Sequence, residues 1–283
     1  MSGARTTELG IPFDPARDGG TLGARRVYGY MLLRYKRTWR GTLTTSFLYP
    51  VLYLLAMGLG LGHLVDQHLA GAGPAGLARL GGETYVQFIA PGLLAATAMQ
   101  IGYNEATYPV MQGVKWDKVY FAMIATPISV RSVQIGHLAW IATRLATAAA
   151  IFLAIISAYG DISSPWAVLA LPAAVLTGLA FAAPMTAFSA KQENDNAFSL
   201  VYRMGVIPLF LFSGTFFPLA QLPSFLQAVA RATPLYHGVA LCRGLALGNL
   251  SLADGLVHAG YLLAMVAIGV VWGRRTYRAR MFQ

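Results

Sequence analysis

Two ionisable residues stand inside otherwise apolar stretches of this chain: Glu105 in GYNEATYPVM and Arg144 in WIATRLATAAA. A charge held at bilayer depth costs roughly 3 kcal/mol, so each needs either a partner or a task. A Glu–Arg pair between adjacent helices is the plainer outcome, because burial enforces pairing. Contact with a transported polar group is the other. A third group of chemistry-bearing residues lies in YPVMQGVKWDKVYFAMIATPISVRS, where Lys115, Asp117 and Lys118 alternate with Trp116, Tyr120 and Phe121. Aromatic anchors with a charged rim suit docking of a protein partner; a connecting loop with interfacial aromatics is the bland alternative. His63 and His68 flank Asp66, a spacing too loose for a metal site, so no metal is expected. None of the four lysines follows a glycine, which excludes the phosphate loop G-x-x-x-x-G-K-[ST]. If nucleotide energy is used, another chain is expected to supply the site, and this chain is expected not to be an enzyme.

The elements that must position these residues are membrane helices. Of 283 residues, 56% are hydrophobic and 11% charged, far below the quarter charged that a soluble surface requires. A span takes about 20 apolar residues at 1.5 Å rise. Six stretches qualify: Thr44–Leu64, Tyr85–Thr107, Ser132–Ala158, Trp166–Ala190, Phe198–Phe217 and Ala253–Trp272. They are too long and continuous for barrel strands. The fold class is therefore all-α integral membrane with six transmembrane helices.

Charge distribution orients them. Residues 1–43 hold eight Lys/Arg, and further basic residues follow at Lys115, Lys118, Arg131, Lys191, Arg203, Arg274, Arg275, Arg278 and Arg280. The intervening segments hold Arg79, Arg231 and Arg243. Positive residues remain cytoplasmic, so both termini are expected inside. The net charge of +10 then reflects topology and anionic lipid, not nucleic acid. The N-terminus has no apolar core of a cleavable signal peptide, so the first span is expected to direct insertion.

The segments divide as a disordered tail (1–20), an amphipathic helix (21–43), the six-span body (44–273) and a basic tail (274–283). In the second of these, Tyr28, Met31, Leu32, Tyr35 and Trp39 share one helical face, as in a helix lying in the membrane interface. A polar link, AKQENDNAF, offers Glu193 and Asp195 as partners for Lys191 or Arg203. No internal repeat is visible, which argues against inverted-repeat transporters. One stretch remains odd: the fifth apolar run breaks at Pro218 and Pro223 and restarts as something amphipathic.

In order along the chain, GYNEATYPVM, FAMIATPIS, LFSGTFFPLAQLP (Leu211–Pro223) and TPLYHGVALCRGLALG (Thr233–Gly248) resemble the ABC-2 type permeases. These are membrane subunits of ATP-driven exporters. The likeness runs from about Tyr28 to Arg275 and is nearest to the nodulation lipo-oligosaccharide export permeases, with antibiotic-export permeases a looser match. It implies a bacterial cytoplasmic membrane location and a homodimer bound to two copies of a separate ATPase, which holds the ATP and Mg. Residues 108–131 would be the cytoplasmic coupling segment, with Lys115, Trp116, Asp117, Lys118, Tyr120 and Phe121 entering an ATPase groove. Residues 218–250 would form a hairpin re-entering the outer leaflet, shaped by Gly214, Pro218, Pro223 and Pro234. Arg231, His237 and Arg243 would then lie near external headgroups. An amphipathic substrate, either a glycolipid or lipo-oligosaccharide or a hydrophobic drug-like metabolite, would pass between protomers along Tyr49, Tyr53, Met57, Met99, Tyr103 and Phe212. Three rivals stand beside this reading. An ion-coupled secondary transporter would use Glu105, a membrane transferase would need converging Asp, His or metal ligands, and an assembly factor would show no nucleotide-dependent activity.

Overall fold

The computed structural model of the chain describes residues 20–43, 52, 55–71, 83–158 and 164–282. Every regular element among them is helical, the solution a low-dielectric surrounding selects because a helix satisfies its own backbone. The chain begins with α1 (Gly20–Leu43). A π-helical segment, Ala56–Gly62, leads into α2 (His63–Gly71). Then come α3 (Tyr85–Ala106) and α4 (Tyr108–Met111), the latter continued by a π-helical turn, Gln112–Trp116. Next are α5 (Val119–Ile124), α6 (Val130–Ala158) and α7 (Ala170–Ser189). A second π-helical turn, Tyr202–Val206, joins α8 (Asn196–Val201) to α9 (Ile207–Phe212). The chain closes with α10 (Ser224–Arg231), α11 (Pro234–Leu247) and α12 (Leu252–Met281).

Among the described residues, three helices are long and apolar enough to cross a membrane: Val130–Ser157, Pro165–Ser189 and Leu252–Met281. Asn196–Phe212 is a shorter apolar helix. Much of the first expected span, and the expected tail over residues 1–19, lie outside the described residues. The second expected span is α3, a 22-residue helix whose residues are mostly buried.

α7 forms the centre. It packs against α3, α6, α11 and α12, while α11 fills the space between α3, α7 and α12. Small residues permit this closeness: a Cβ on Gly102 of α3 would lie 2.3 Å from the Gly178 carbonyl oxygen of α7. Helices in lipid associate through such close contact because no hydrophobic force separates helix from lipid.

The amphipathic α1 does not present its apolar stripe outward. Val27 and Met31 are buried, and the rings of Tyr28 and Tyr35 pack on Trp140 of α6 at 6.3 and 5.1 Å. The Tyr28 hydroxyl lies 3.2 Å from Thr143 Oγ1. Gly136 leaves room for Val27, since a Cβ there would sit 2.6 Å from the Val27 Cβ. The stripe expected to meet lipid thus meets α6, and Arg25, Arg26, Arg34, Lys36 and Arg37 occupy the outer face. The Trp39 side chain lies outside the described residues.

Candidate functional site

The charged and aromatic residues of the 108–131 segment separate into two layers. Trp116 is 54% exposed, and Asp117 and Lys118 flank it on the surface while Lys115 is half-buried. Lys118 sits at φ +50°, in the left-handed region, and caps the start of α5. Tyr120 and Phe121 point the other way, at 1% and 6% exposure. They anchor the turn within a core of Val27, Val110, Val114, Trp140 and Tyr277. The six residues read together from the sequence are therefore an outward face of four and an inward anchor of two. The division follows the chain: Lys115 and Trp116 end the π-helical turn, Asp117 and Lys118 link it to α5, and Tyr120 and Phe121 lie on α5.

Around this turn four segments distant in sequence converge. Arg34 of α1 donates to Gln112 Oε1 at 2.6 Å, and Gln112 Nε2 donates to Asp117 Oδ2 at 2.8 Å. Lys115 Nζ bonds the Glu193 backbone carbonyl and lies 3.3 Å from Glu193 Oε2. Arg280 of α12 reaches Glu193 Oε1 at 2.5 Å. Pairing of Glu193 with Lys191 or Arg203, expected from their proximity in sequence, gives way to this arrangement, because folding brings Lys115 and Arg280 to the carboxylate. The Arg280 guanidinium and the Lys115 ammonium hold the Glu193 carboxyl below its ordinary value.

Beneath the turn lies a buried polar group that the sequence reading missed. The Tyr120 hydroxyl sits 2.5 Å from His137 Nδ1 of α6, and its ring stacks on Tyr277 at 6.0 Å and 30°. Burial, reinforced by Tyr277, raises the Tyr120 hydroxyl well above its ordinary range, so it stays protonated. A signal for His137 was present: it is an ionisable residue inside an apolar run, seven positions from Arg144 and so on the same helical face. Tyr277 carried no such mark, lying in a basic tail.

Glu105 and Arg144 do pair. Arg144 Nε donates to Glu105 Oε1 at 3.2 Å, with side chains 10% and 20% exposed respectively. The Arg144 guanidinium also lies over the Tyr35 ring, 4.7 Å from its centroid. The pair thus locks α3, α6 and α1 together.

At the opposite end, the broken fifth run acquires a physical cause. α9 ends at Phe212, and Gly214 takes φ +82°, a conformation that strains side-chain-bearing residues. Breaking a helix frees carbonyls that must find donors. Arg243 of α11 supplies donors to the turn that follows, with Nη2 2.9 Å from Gly214 O and 3.3 Å from Thr215 O, while its Nε reaches the Phe88 carbonyl of α3 at 2.9 Å. Its guanidinium stacks on Phe88 at 3.8 Å. Pro218 and Pro223 open the next two helical turns, and Pro234 begins α11 behind its Thr233 cap. Arg243 was expected near headgroups; it turns inward because these carbonyls need it. His237 turns inward as well, with Nδ1 2.8 Å from His258 Nδ1 and its ring on Tyr261 at 4.0 Å. Arg231 remains on the surface.

Of the substrate-path candidates, Met99, Tyr103 and Phe212 fall among the described residues. Met99 is fully buried, Tyr103 donates to the Phe198 carbonyl at 2.5 Å, and Phe212 is exposed. Tyr49, Tyr53 and the Met57 side chain lie outside the described residues. Among the described residues no three His, Cys, Asp or Glu side chains gather to hold a metal.

Comparison with known proteins gives this geometry a context. The ABC-2 type transporter family matches residues 26–247. The chain is 29% identical to Nodulation protein J of Rhizobium leguminosarum bv. trifolii, over all of both chains. It is 26% identical to Nodulation protein J of Rhizobium meliloti over 88% of this chain and 90% of that one. It is also 24% identical to the inner membrane transport permease YadH of Escherichia coli, over 82% and 85%.

Proposed function

The chain belongs to the ABC-2 type transporter family, and we propose that it is the membrane subunit of an ATP-driven exporter of an amphipathic substrate. Six spans carry it through a bacterial cytoplasmic membrane with both termini inside, and α10–α11 re-enter the outer leaflet as a hairpin. It acts as a dimer with two copies of a separate ATPase, which binds the ATP and Mg. Glycolipids or lipo-oligosaccharides are the favoured cargo class, given the similarity to Nodulation protein J; hydrophobic drug-like metabolites are the second.

The observation that carries this reading is the base. Four segments that positive-inside reasoning puts in the cytoplasm meet at one end, around Arg34, Lys115, Glu193 and Arg280. They frame a turn whose Trp116, Asp117 and Lys118 face outward without contributing to the core. An exposed tryptophan fixed on a rigid support is the kind of anchor that protein interfaces use. The ion-coupled alternative loses its main support, because Glu105 is engaged by Arg144.

The test is purification of the tagged chain in mild detergent from its native host. A stoichiometric ATPase is expected to accompany the native chain and to be lost on Trp116→Ala with Lys118→Glu. A chain that purifies intact but alone, even after cross-linking, would overturn the reading.

A further inference from the structure

Docking alone does not move a membrane protein; the docking turn must be mechanically joined to the helices behind it. Three contacts supply that join. A Cβ on Gly113 would lie 2.6–2.9 Å from carbons of the Tyr120 ring, so the π-helical turn rests directly on this ring. The Tyr120 hydroxyl meets His137 Nδ1. The backbone carbonyl of Glu105 approaches the same imidazole from α3, short of a full bond to Nε2.

With the imidazole proton on Nε2 the Tyr120 hydroxyl donates to Nδ1, and with the proton on Nδ1 it accepts instead; either tautomer ties the ring to Tyr120. Two turns along α6, Arg144 holds the Glu105 side chain. Glu105 of α3 is thus bonded through its side chain to Arg144 and approached at its backbone carbonyl by His137 of the same helix, and His137 is in turn tied to the docking turn through Tyr120. Two polar atoms of this group, His137 Nε2 and Tyr277 Oη, are buried without a hydrogen bond. Such atoms carry a desolvation penalty that a shifted arrangement can relieve, which is what a two-state element requires.

We propose that Tyr120 and His137 are positioning residues that transmit displacement of the docking turn to the Glu105–Arg144 pair. This rests on the docking function proposed above. Tyr120→Phe is the informative variant, since it removes one oxygen while keeping the ring on Gly113 and Tyr277. His137→Gln is the second variant, from the α6 side. Hydrogen exchange is measured on the purified complex with its ATPase, with and without ATP and vanadate.

In the native chain, nucleotide is expected to change exchange both at residues 112–118 and at residues 103–108. In either variant the change is expected to persist at 112–118 and to disappear at 103–108. A full response at 103–108 in both variants would overturn the transmission role while leaving docking intact. An absence of any nucleotide response at 112–118 in the native complex would overturn docking, and transmission with it.

Discussion

Removing one member of the Glu105–Arg144 pair and then both gives the sharpest measure of what that pair is for. The side chains are 10% and 20% exposed, so the cost of stranding one charge sits near the lower end of the range for buried pairs, about 3 kcal/mol. Arg144→Met strands the carboxylate, which keeps no other cation in the described geometry, and should cost about that much. Glu105→Gln is milder. The amide oxygen can still accept from Nε, and the guanidinium keeps the Tyr35 ring, so the loss should be about 1 kcal/mol. With both replaced, neither charge is stranded, and the double variant should lie within about 1 kcal/mol of Glu105→Gln. Unfolding of the four proteins in mild detergent, followed by tryptophan fluorescence, completes the cycle. Additive losses would show that the two residues act independently and would refute the pair. A proton-carrying Glu105 would predict the opposite pattern: a neutral or stabilising Glu105→Gln and lost transport.

Two further outcomes follow from the same geometry. Arg243→Met should leave the carbonyls of Gly214 and Thr215 without their donor and remove a second donor from the Phe88 carbonyl of α3, at about 1–3 kcal/mol for each buried acceptor left unsatisfied; limited proteolysis should then open first at residues 213–223, and unchanged protection there would refute the clamp. At the base, the Glu193 carboxyl is held low by Arg280 and Lys115, so its contribution is fully present above the ordinary glutamate value of about 4.3 and is lost as pH falls below it. Exchange at residues 275–282 should therefore rise between neutral and acid pH in the native chain, and a Glu193→Gln variant should show the raised exchange already at pH 7.

What the sequence revealed depended on the length scale of the physics. Apolar runs are local, so α6, α7 and α12 were legible as helices long and apolar enough to cross a membrane, and the break after Phe212 was legible from Gly214 and Pro218. The Glu105–Arg144 pair could be anticipated because burial leaves a lone charge few choices. The division of the 108–131 segment could not, since periodicity over Val119–Ile124 does not say which side faces the protein. Arg243 was misplaced for a related reason. Its need arises from carbonyls some thirty residues earlier, freed by a break whose three-dimensional position the chain does not state. The partners of Glu193 were missed because nearness in sequence was used where only folding decides. Tyr277 had no local mark at all.

The two ends of the molecule are built on different energetics, and this bears on where motion starts. At the hairpin end Arg243 is committed to three backbone acceptors and an aromatic face, so any displacement strands buried polar groups. At the base, Glu193 is solvent-facing, and its ion pairs with Lys115 and Arg280 are screened by water and contribute little each. They hold four segments in register without holding them rigidly, and a partner offering its own charges can replace them at small cost. The rigid part begins one layer deeper, where Tyr120 is enclosed by Gly113, His137 and Tyr277. A push on Trp116 therefore meets soft contacts first and a stiff buried ring next. On the transmission proposed above, displacement at the base would pass inward through Tyr120 to α6 and α3, with the Arg243 clamp fixing the far end of α3 against which they move.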